Sequence, residues 1–541
     1  MELLKVLFSL NKTTEQIPLP GQVIISPVET SWNDFGFKIR CEFKVRISEK
    51  HSPVEGSMFI GFLSPDNLSE SEIDDFYEKR DSLTSHILRS GQDIVTKNML
   101  PPFFTMLPDL QGYRDLYDNL GDKGLALFLR CVNDLVFHKQ SSENWMKRAI
   151  ETEVFKLGFM RNSEPFFAFY NADSVIAGEE LRNNSTISNI LNLEFKLSGF
   201  VNSHQLDFKY QPDSIIPKRI GVIIGKNGVG KSESLKAFCR GALQHKDKGL
   251  SLTDSDGKRP MINRLIAITS PGEASNTFPS ERRATQKLYY RRLNLSSKGN
   301  SLGQCLLQLA RGEERIGGLT RKEIFSKMLR EAGLDTEHIC VQLKSKHYLG
   351  LSHFVYGGGE QDKLTWWANV DPNAEPKTSR NGEYFSLSSG QLTFFRFALL
   401  CCLYIENGSF VLLDEPETHM HPNMIATFIG LLDHLLKLTG SQALIATHST
   451  YIVREVPTEQ VLVLSVEEDE VQTNRPRLPT FGATVDSISQ FVFNEDTETR
   501  LTEKLYNRLK GENFADYEYE LSNELSLSAL MRLKRMMESE V

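Results

Sequence analysis

The run Gly225-Lys226-Asn227-Gly228-Val229-Gly230-Lys231-Ser232 has the residue types and spacing that hold a chain of phosphates. Glycines let the backbone approach an anion, and successive N–H groups form a nest around it. The lysine after the last glycine reaches the β- and γ-phosphates, and the serine after that ligates Mg²⁺. Lys231 and Ser232 are assigned those roles, and the expected nucleotide contacts run from Gly225, Lys226, Asn227, Gly228, Val229 and Gly230 to Glu233. Asp414-Glu415-Pro416 supplies a second kind of chemistry. Asp414 suits a metal through its water shell. Glu415 suits the polarisation of an attacking water. His448, in Thr447-His448-Ser449, suits a sensor of the γ-phosphate.

The elements around these residues are those that would position them. Ile220-Gly221-Val222-Ile223-Ile224 reads as a strand into the glycine loop, and Ser232 to Gly241 as the helix out of it. The helix start adds its positive dipole end to the anion site. Ser409 to Leu413 and Ala443 to Ala446 are short apolar runs of the buried parallel type. Ligands of such sheets sit at the carboxyl ends of the strands, where the acid pair and His448 fall. Leu387-Ser388-Ser389-Gly390-Gln391 precedes an apolar helix from Gln391 to Ile405, whose first N–H groups can also receive an anion.

Together these motifs resemble an ABC-type ATPase of the SMC, RecF and OLD branch, over roughly residues 190–465. The resemblance implies an α/β fold, a P-loop ATPase head with an antiparallel β-subdomain; apolar spacing adds inserted helical subdomains, and the lack of sustained heptads between the P-loop helix and the signature predicts no long coiled coil. It implies ATP and Mg²⁺ as cofactors, and two heads that sandwich ATP. Ser388, Gly390 and Gln391 of one head's signature would then meet the nucleotide on the P-loop of the other.

The chain departs from the family pattern in two places. Glu417-Thr418-His419-Met420-His421-Pro422 stands where transporter ATPases carry serine-alanine-leucine-aspartate, and is similar to the RecF and OLD-like form. Glu417, His419 and His421 have metal-ligating side chains. No further His or Cys cluster completes a site, so the loop reads as a head-to-head interface. After Leu265 to Thr269, where the family usually places a glutamine that touches Mg²⁺, this chain has Ser270-Pro271-Gly272. Gln286 is too far along, and that role is unassigned.

Composition bounds the alternatives. The 541 residues, 40% hydrophobic and 24% charged, carry a net charge of −8, which argues against a generally basic nucleic-acid coat. The seven cysteines form no C-x-x-C pair and read as reduced thiols in a cytoplasmic protein. The apolar run Phe397 to Ile405 is far too short for a membrane helix, and a membrane partner is not expected. Ser280 to Arg292 is the most basic and aromatic stretch, able to track a nucleic-acid backbone, to form a solvated helix face or to contact a partner subunit.

The expected division gives residues 1–65 and 151–225 to a β-rich part of the head, with strands around Val154 to Tyr170, and 66–150 to a helical insertion. Residues 225–300 hold the P-loop and following core, and 301–380 a helical or irregular insertion. Residues 381–465 hold the signature, acidic strand and His448. Residues 466–541 form a partner-docking helical region of two amphipathic pieces split near Gly511. Glu467 to Glu470 reads as a solvated hairpin tip. No Asp-x-Asp follows Glu467, so no nuclease centre is expected in the chain.

Pro479-Thr480-Phe481-Gly482-Ala483-Thr484-Val485-Asp486, leading into Ile488, Phe491, Val492 and Phe493, is similar to PtuA-like ATPases of Septu anti-phage systems, including those beside retrons. That resemblance implies a homodimer or higher oligomer that scaffolds and regulates an HNH nuclease (PtuB-like). In the retron form it also implies a reverse transcriptase with its RNA–DNA hybrid. A RecF-like DNA-maintenance ATPase and a low-turnover ATP-binding scaffold remain as alternatives.

Overall fold

The computed structural model describes residues 4–10, 16–28, 37–49, 52–64, 82–139, 143–161, 163–176, 187–245, 247–269, 277–281, 288–295, 301–312, 314–418, 420–493 and 500–538. Its centre is a seven-stranded sheet. In spatial order the strands are Tyr289–Asn294, Arg264–Thr269, Phe410–Asp414, Gln442–Thr447, Ile220–Gly225, Val461–Glu467 and Glu470–Asn474. All neighbours are parallel except the last pair. The central strands are buried along their whole length, so their apolar runs serve both faces. Val411 and Leu413 point to one core, while Phe410 and Leu412 point to the other.

On one face pack the helices Leu302–Arg311, Arg321–Glu331, Ser389–Tyr404 and Pro422–Thr439. On the other lie the helix Lys231–Ala242 and a three-stranded antiparallel sheet of Ser251–Thr253, Ile190–Phe195 and His204–Lys209. The α/β head with its antiparallel subdomain is therefore present, and no long coiled-coil helix occurs among the described residues.

Register aligns the strand ends. Thr269 pairs with Asp414, Asp414 with Ala446, Thr447 with Ile224, and Leu464 with Gly225. The P-loop, the acid pair and His448 consequently leave the sheet at one edge.

The N-terminal part differs from the expectation. Ile94–Thr96, Lys5–Ser9, Gln22–Pro27, Arg40–Arg46, Val54–Phe62 and Phe103–Met106 form a separate six-stranded sheet. Two of its strands lie within the segment expected to be helical. The stretch expected to resume as strands is helical instead, ending in Ser163–Ile176, and packs with Leu110–Cys131 on the core of this sheet. Its apolar residues fit a buried helix as well as a buried strand, and burial on the sheet decides.

Between the helices and the signature, a four-stranded sheet of Tyr348–Gly350, Ile339–Gln342, Lys377–Arg380 and Glu383–Ser386 replaces irregular chain. Gly317 and Gly318 turn the small hairpin Arg315–Ile316 to Leu319–Thr320. Glu468 and Asp469 turn the acidic hairpin, both with positive φ. Among the described residues, three helices follow Val485–Phe493, namely Arg500–Leu509, Phe514–Glu524 and Leu527–Glu538, where two were expected. Their small core gathers Phe514, Leu533 and Met537. No helix among the described residues is long and apolar enough to cross a membrane.

Candidate functional site

Gly225 ends its strand so close to the neighbouring chain that a Cβ there would lie 2.4 Å from the Leu464 carbonyl oxygen. Gly228 and Gly230 take φ of +84° and +96°, the left-handed region open to glycine. Gly230 is the N-cap of the helix Lys231–Ala242 and offers no side-chain cap. The first N–H groups of that helix are left to an anion. Lys226, Asn227 and Gly228 are exposed on the loop and Val229 is buried beneath it. Glu233 is turned to solvent and pairs with Lys236 at 3.0 Å, so its side chain stands outside the nest.

Lys231 is buried, and its Nζ donates to the Gly225 and Lys226 carbonyls at 3.0 Å each. Burial lowers its pKa, and the charges of Glu415, Asp414 and Glu417 oppose that shift. The Ser232 hydroxyl donates to Asp414 Oδ1 at 3.0 Å. Thr277 Oγ1 donates to the other carboxylate oxygen, Oδ2, also at 3.0 Å. A lysine, two hydroxyls and a buried carboxylate, beside a glycine nest that a Cβ would clash with, fit a magnesium nucleotide.

Glu415 has a positive φ of 43°, a strained conformation for a non-glycine residue at the strand end. Its N–H is held by the Ala446 carbonyl at 2.9 Å. His448 Nδ1 lies 3.3 Å from Glu415 Oε1 and 3.6 Å from Glu417 Oε1. Burial raises the Glu417 pKa; the Thr447 hydroxyl, the Glu417 backbone N–H and His448 pull it down, and the Glu415 charge adds to the rise.

Ser388 caps the helix Ser389–Tyr404. Its hydroxyl accepts from Gln391 N–H at 3.3 Å, and Gln391 Oε1 accepts from Ser388 N–H at 3.0 Å. Gly390 is buried where a Cβ would overlap Met424. No hydrogen bond among the described residues joins these three to the P-loop. The fold thus brings together the loop, Asp414, Glu415 and His448, and leaves the signature apart within one chain.

Thr277 carried no motif signal, and only the fold carries it to Asp414. Thr447 and Glu417 were visible as a strand end and as a candidate ligand, without their link to His448. Residues 270–276 and Gln286, where the missing glutamine role was sought, lie outside the described residues, as does His419. His421 Nδ1 accepts from Asn423 N–H at 3.4 Å and starts the helix Pro422–Thr439. Among the described residues no group of three or more His, Cys, Asp and Glu is placed to hold a metal ion.

In the basic stretch, Tyr290 is buried, and Arg291 pairs with Glu281 at 3.0 Å and stacks over Tyr404. The Arg292 N–H donates to Glu281 at 2.6 Å. These groups are committed to the sheet edge rather than forming an open track. Arg282, Arg283 and Lys287 lie outside the described residues.

Comparison with known proteins gives a family match over residues 372–454, described as "AAA domain, putative AbiEii toxin, Type IV TA system". Protein ea59 of Escherichia phage lambda is 35% identical over 308 residues, which is 53% of this chain and 56% of that protein. The chain therefore spans about half the length of this curated relative. Among solved structures, cbiO1 from Clostridium perfringens, part of the ABC transporter complex cbiONQ, is 17% identical. The alignment covers 60% of this chain and 96% of that one, with a TM-score of 0.30. The SMC head domain from Thermotoga maritima is 11% identical, covering 54% of this chain and 100% of that one, with a TM-score of 0.28. The strand–loop–helix at the P-loop, the acidic strand end beside it and the family match across signature and His448 together give the fold class: an ABC-type ATPase head.

Proposed function

We propose that the chain binds ATP with Mg²⁺ at residues 225–233 and hydrolyses it between two heads. The observation that carries this reading is the 3.0 Å hydrogen bond from Ser232 to Asp414, which joins the start of the P-loop helix to the acidic strand end. Ser232 and Asp414 would hold the metal, which would supply positive charge to offset that of the phosphates. The loop N–H groups and Lys231 bind and orient the phosphate chain. Glu415 orients the attacking water and accepts its proton. His448 contacts the terminal phosphate. Ser388, Gly390 and Gln391 face the nucleotide of the second head, so the closed pair forms only with ATP present. Differential affinity for the closed state then makes ATP a switch.

The finer reading is a subunit of an anti-phage complex of the Septu or retron type, scaffolding an HNH nuclease. It rests on the similarity of the stretch 479–493 to PtuA-like ATPases and on the family match described as a putative toxin domain. The C-terminal helices, with Tyr519, Leu527 and Met531 exposed, are its proposed docking region.

The first test compares ATP hydrolysis by wild type and by Glu415→Gln. Equal, near-zero rates would leave a binding scaffold. The second is purification of the chain at native expression, with mass spectrometry and nucleic-acid extraction on one eluate. A small HNH protein supports the nuclease scaffold, and a reverse transcriptase with RNA-linked DNA supports the retron form. Recovery of the chain alone, or with recombination proteins, removes the defence reading and leaves the ATPase head.

A further inference from the structure

We infer that Glu417 is a positioning residue for His448, holding the imidazole against Glu415 during hydrolysis. This rests on the ATPase reading of the same site.

The three acids after the strand Phe410–Asp414 divide their contacts. Asp414 takes Ser232 and Thr277, Glu415 meets the ring of His448, and Glu417 holds the chain that carries that ring. Glu417 Oε1 accepts from the His448 backbone N–H at 3.3 Å and from the Thr447 hydroxyl. The same oxygen stands 3.6 Å from His448 Nδ1. One buried atom thus reaches the end of the strand Gln442–Thr447, the first residue beyond it and the ring itself.

The two side chains differ in exposure, at 54% for His448 and 6% for Glu417. A half-exposed imidazole at a strand end would sample several rotamers without an anchor. Nδ1 faces the Glu415 and Glu417 carboxylates, which sets the orientation of the ring and leaves Nε2 as the nitrogen that can donate to a phosphate oxygen.

A role in stability alone explains the arrangement poorly. Glu417 Oε2 is buried and has no hydrogen-bond partner among the described residues. Burying a carboxylate beside a second one costs stability, and an unsatisfied oxygen adds to the cost. A neutral residue could cover Thr447 without that penalty. Preorganisation of a group that touches substrate offsets it, because a displacement of about 1 Å in such a group can cost about a hundredfold in rate.

The experiment measures kcat and KM for ATP, nucleotide binding and melting temperature. The variants are Glu417→Ala, Glu417→Met, Glu417→Gln, His448→Ala and the Glu417→Ala/His448→Ala pair. Glu417→Met fills the volume without an acceptor, which guards against collapse of the Ala variant. Expected are a fall in kcat of about tenfold for Ala and Met, with KM within about twofold. Gln keeps an acceptor for Thr447 and His448 and should return kcat to within about threefold of wild type. On the His448→Ala background, Glu417→Ala should add less than about twofold. A KM rise matching the kcat loss, full additivity with His448→Ala, or Gln no better than Met would overturn the assignment while leaving the ATPase reading intact. Absence of Lys231-dependent hydrolysis in wild type would instead sink both.

Discussion

Arg114 Nη1 lies 3.0 Å from Glu406 Oε1, with both side chains buried. The contact joins the helix Leu110–Cys131 of the N-terminal unit to the turn that follows the signature helix. Arg321 completes it. Its Nη2 stands 3.4 Å from Glu406 Oε2, and its Nη1 donates to the last carbonyls of the signature helix, Cys402 at 2.7 Å and Ile405 at 2.6 Å.

Glu406→Gln should therefore destabilise the chain by about 3–5 kcal/mol, because Arg114 keeps its burial and loses its counter-charge, while Arg321 is left with the more exposed Glu314 at 3.3 Å. Burial alone would raise the Glu406 pKa, but Arg114, Arg321 and Arg264 outweigh it and hold the carboxyl below its usual range. Its folded pKa is depressed, so its stabilisation is complete above the unfolded value of about 4.3 and fades as pH falls through the folded one. Urea melts at pH 7 and across that acidic window check both statements. A Glu406→Gln protein with unchanged midpoint at pH 7 would contradict them.

Ser232→Ala and Asp414→Asn should each weaken Mg²⁺-dependent ATP binding by about tenfold or more, since each removes one side of the pair proposed to hold the metal. Binding of nucleotide in EDTA should change far less. Titration with a fluorescent ATP analogue, with and without Mg²⁺, gives the ratio. Equal losses in both conditions would place these residues in the fold rather than at the metal.

Glu415→Gln should bind ATP within about threefold of wild type and lose about a hundredfold or more in turnover. With ATP and Mg²⁺ it should accumulate as a dimer by light scattering. A monomer at saturating ATP would argue against the sandwich.

Ser388→Arg places bulk and charge at the exposed helix start. It also removes a cap worth about 1 kcal/mol. In the Glu415→Gln background it should abolish the ATP-dependent dimer while each head still binds ATP. Loss of ATP binding by the monomer would show instead that the signature acts within its own chain.

The parts of the site legible in sequence are those whose chemistry is local. The strand–loop–helix around residues 225–232 is legible because its three parts are contiguous, and Asp414-Glu415 is legible as the end of an apolar strand. Thr277 was hidden because its role depends on a contact across 137 positions of sequence. The sheet holding Lys377–Arg380 and Glu383–Ser386 escaped notice because KTSR and EYFS lack a continuous apolar run. Its register comes from pairing partners, not from local pattern. Val154 to Tyr170 misled for the opposite reason: an apolar stretch satisfies strand and helix templates alike.

The position of Ile220–Gly225 also bears on synthesis. Its two sheet neighbours, Gln442–Thr447 and Val461–Glu467, follow it by more than 200 residues. At roughly 5–20 residues per second, a ribosome needs on the order of 10–40 s to deliver the first of them. The N-terminal sheet, closed by residue 106, can fold behind the exit tunnel during that interval. The strand destined for the centre of the ATPase head, meanwhile, waits with both edges unpaired and both faces apolar. Such a nascent chain is a natural client for a holding chaperone, and its yield should fall when translation is slowed between the P-loop and His448.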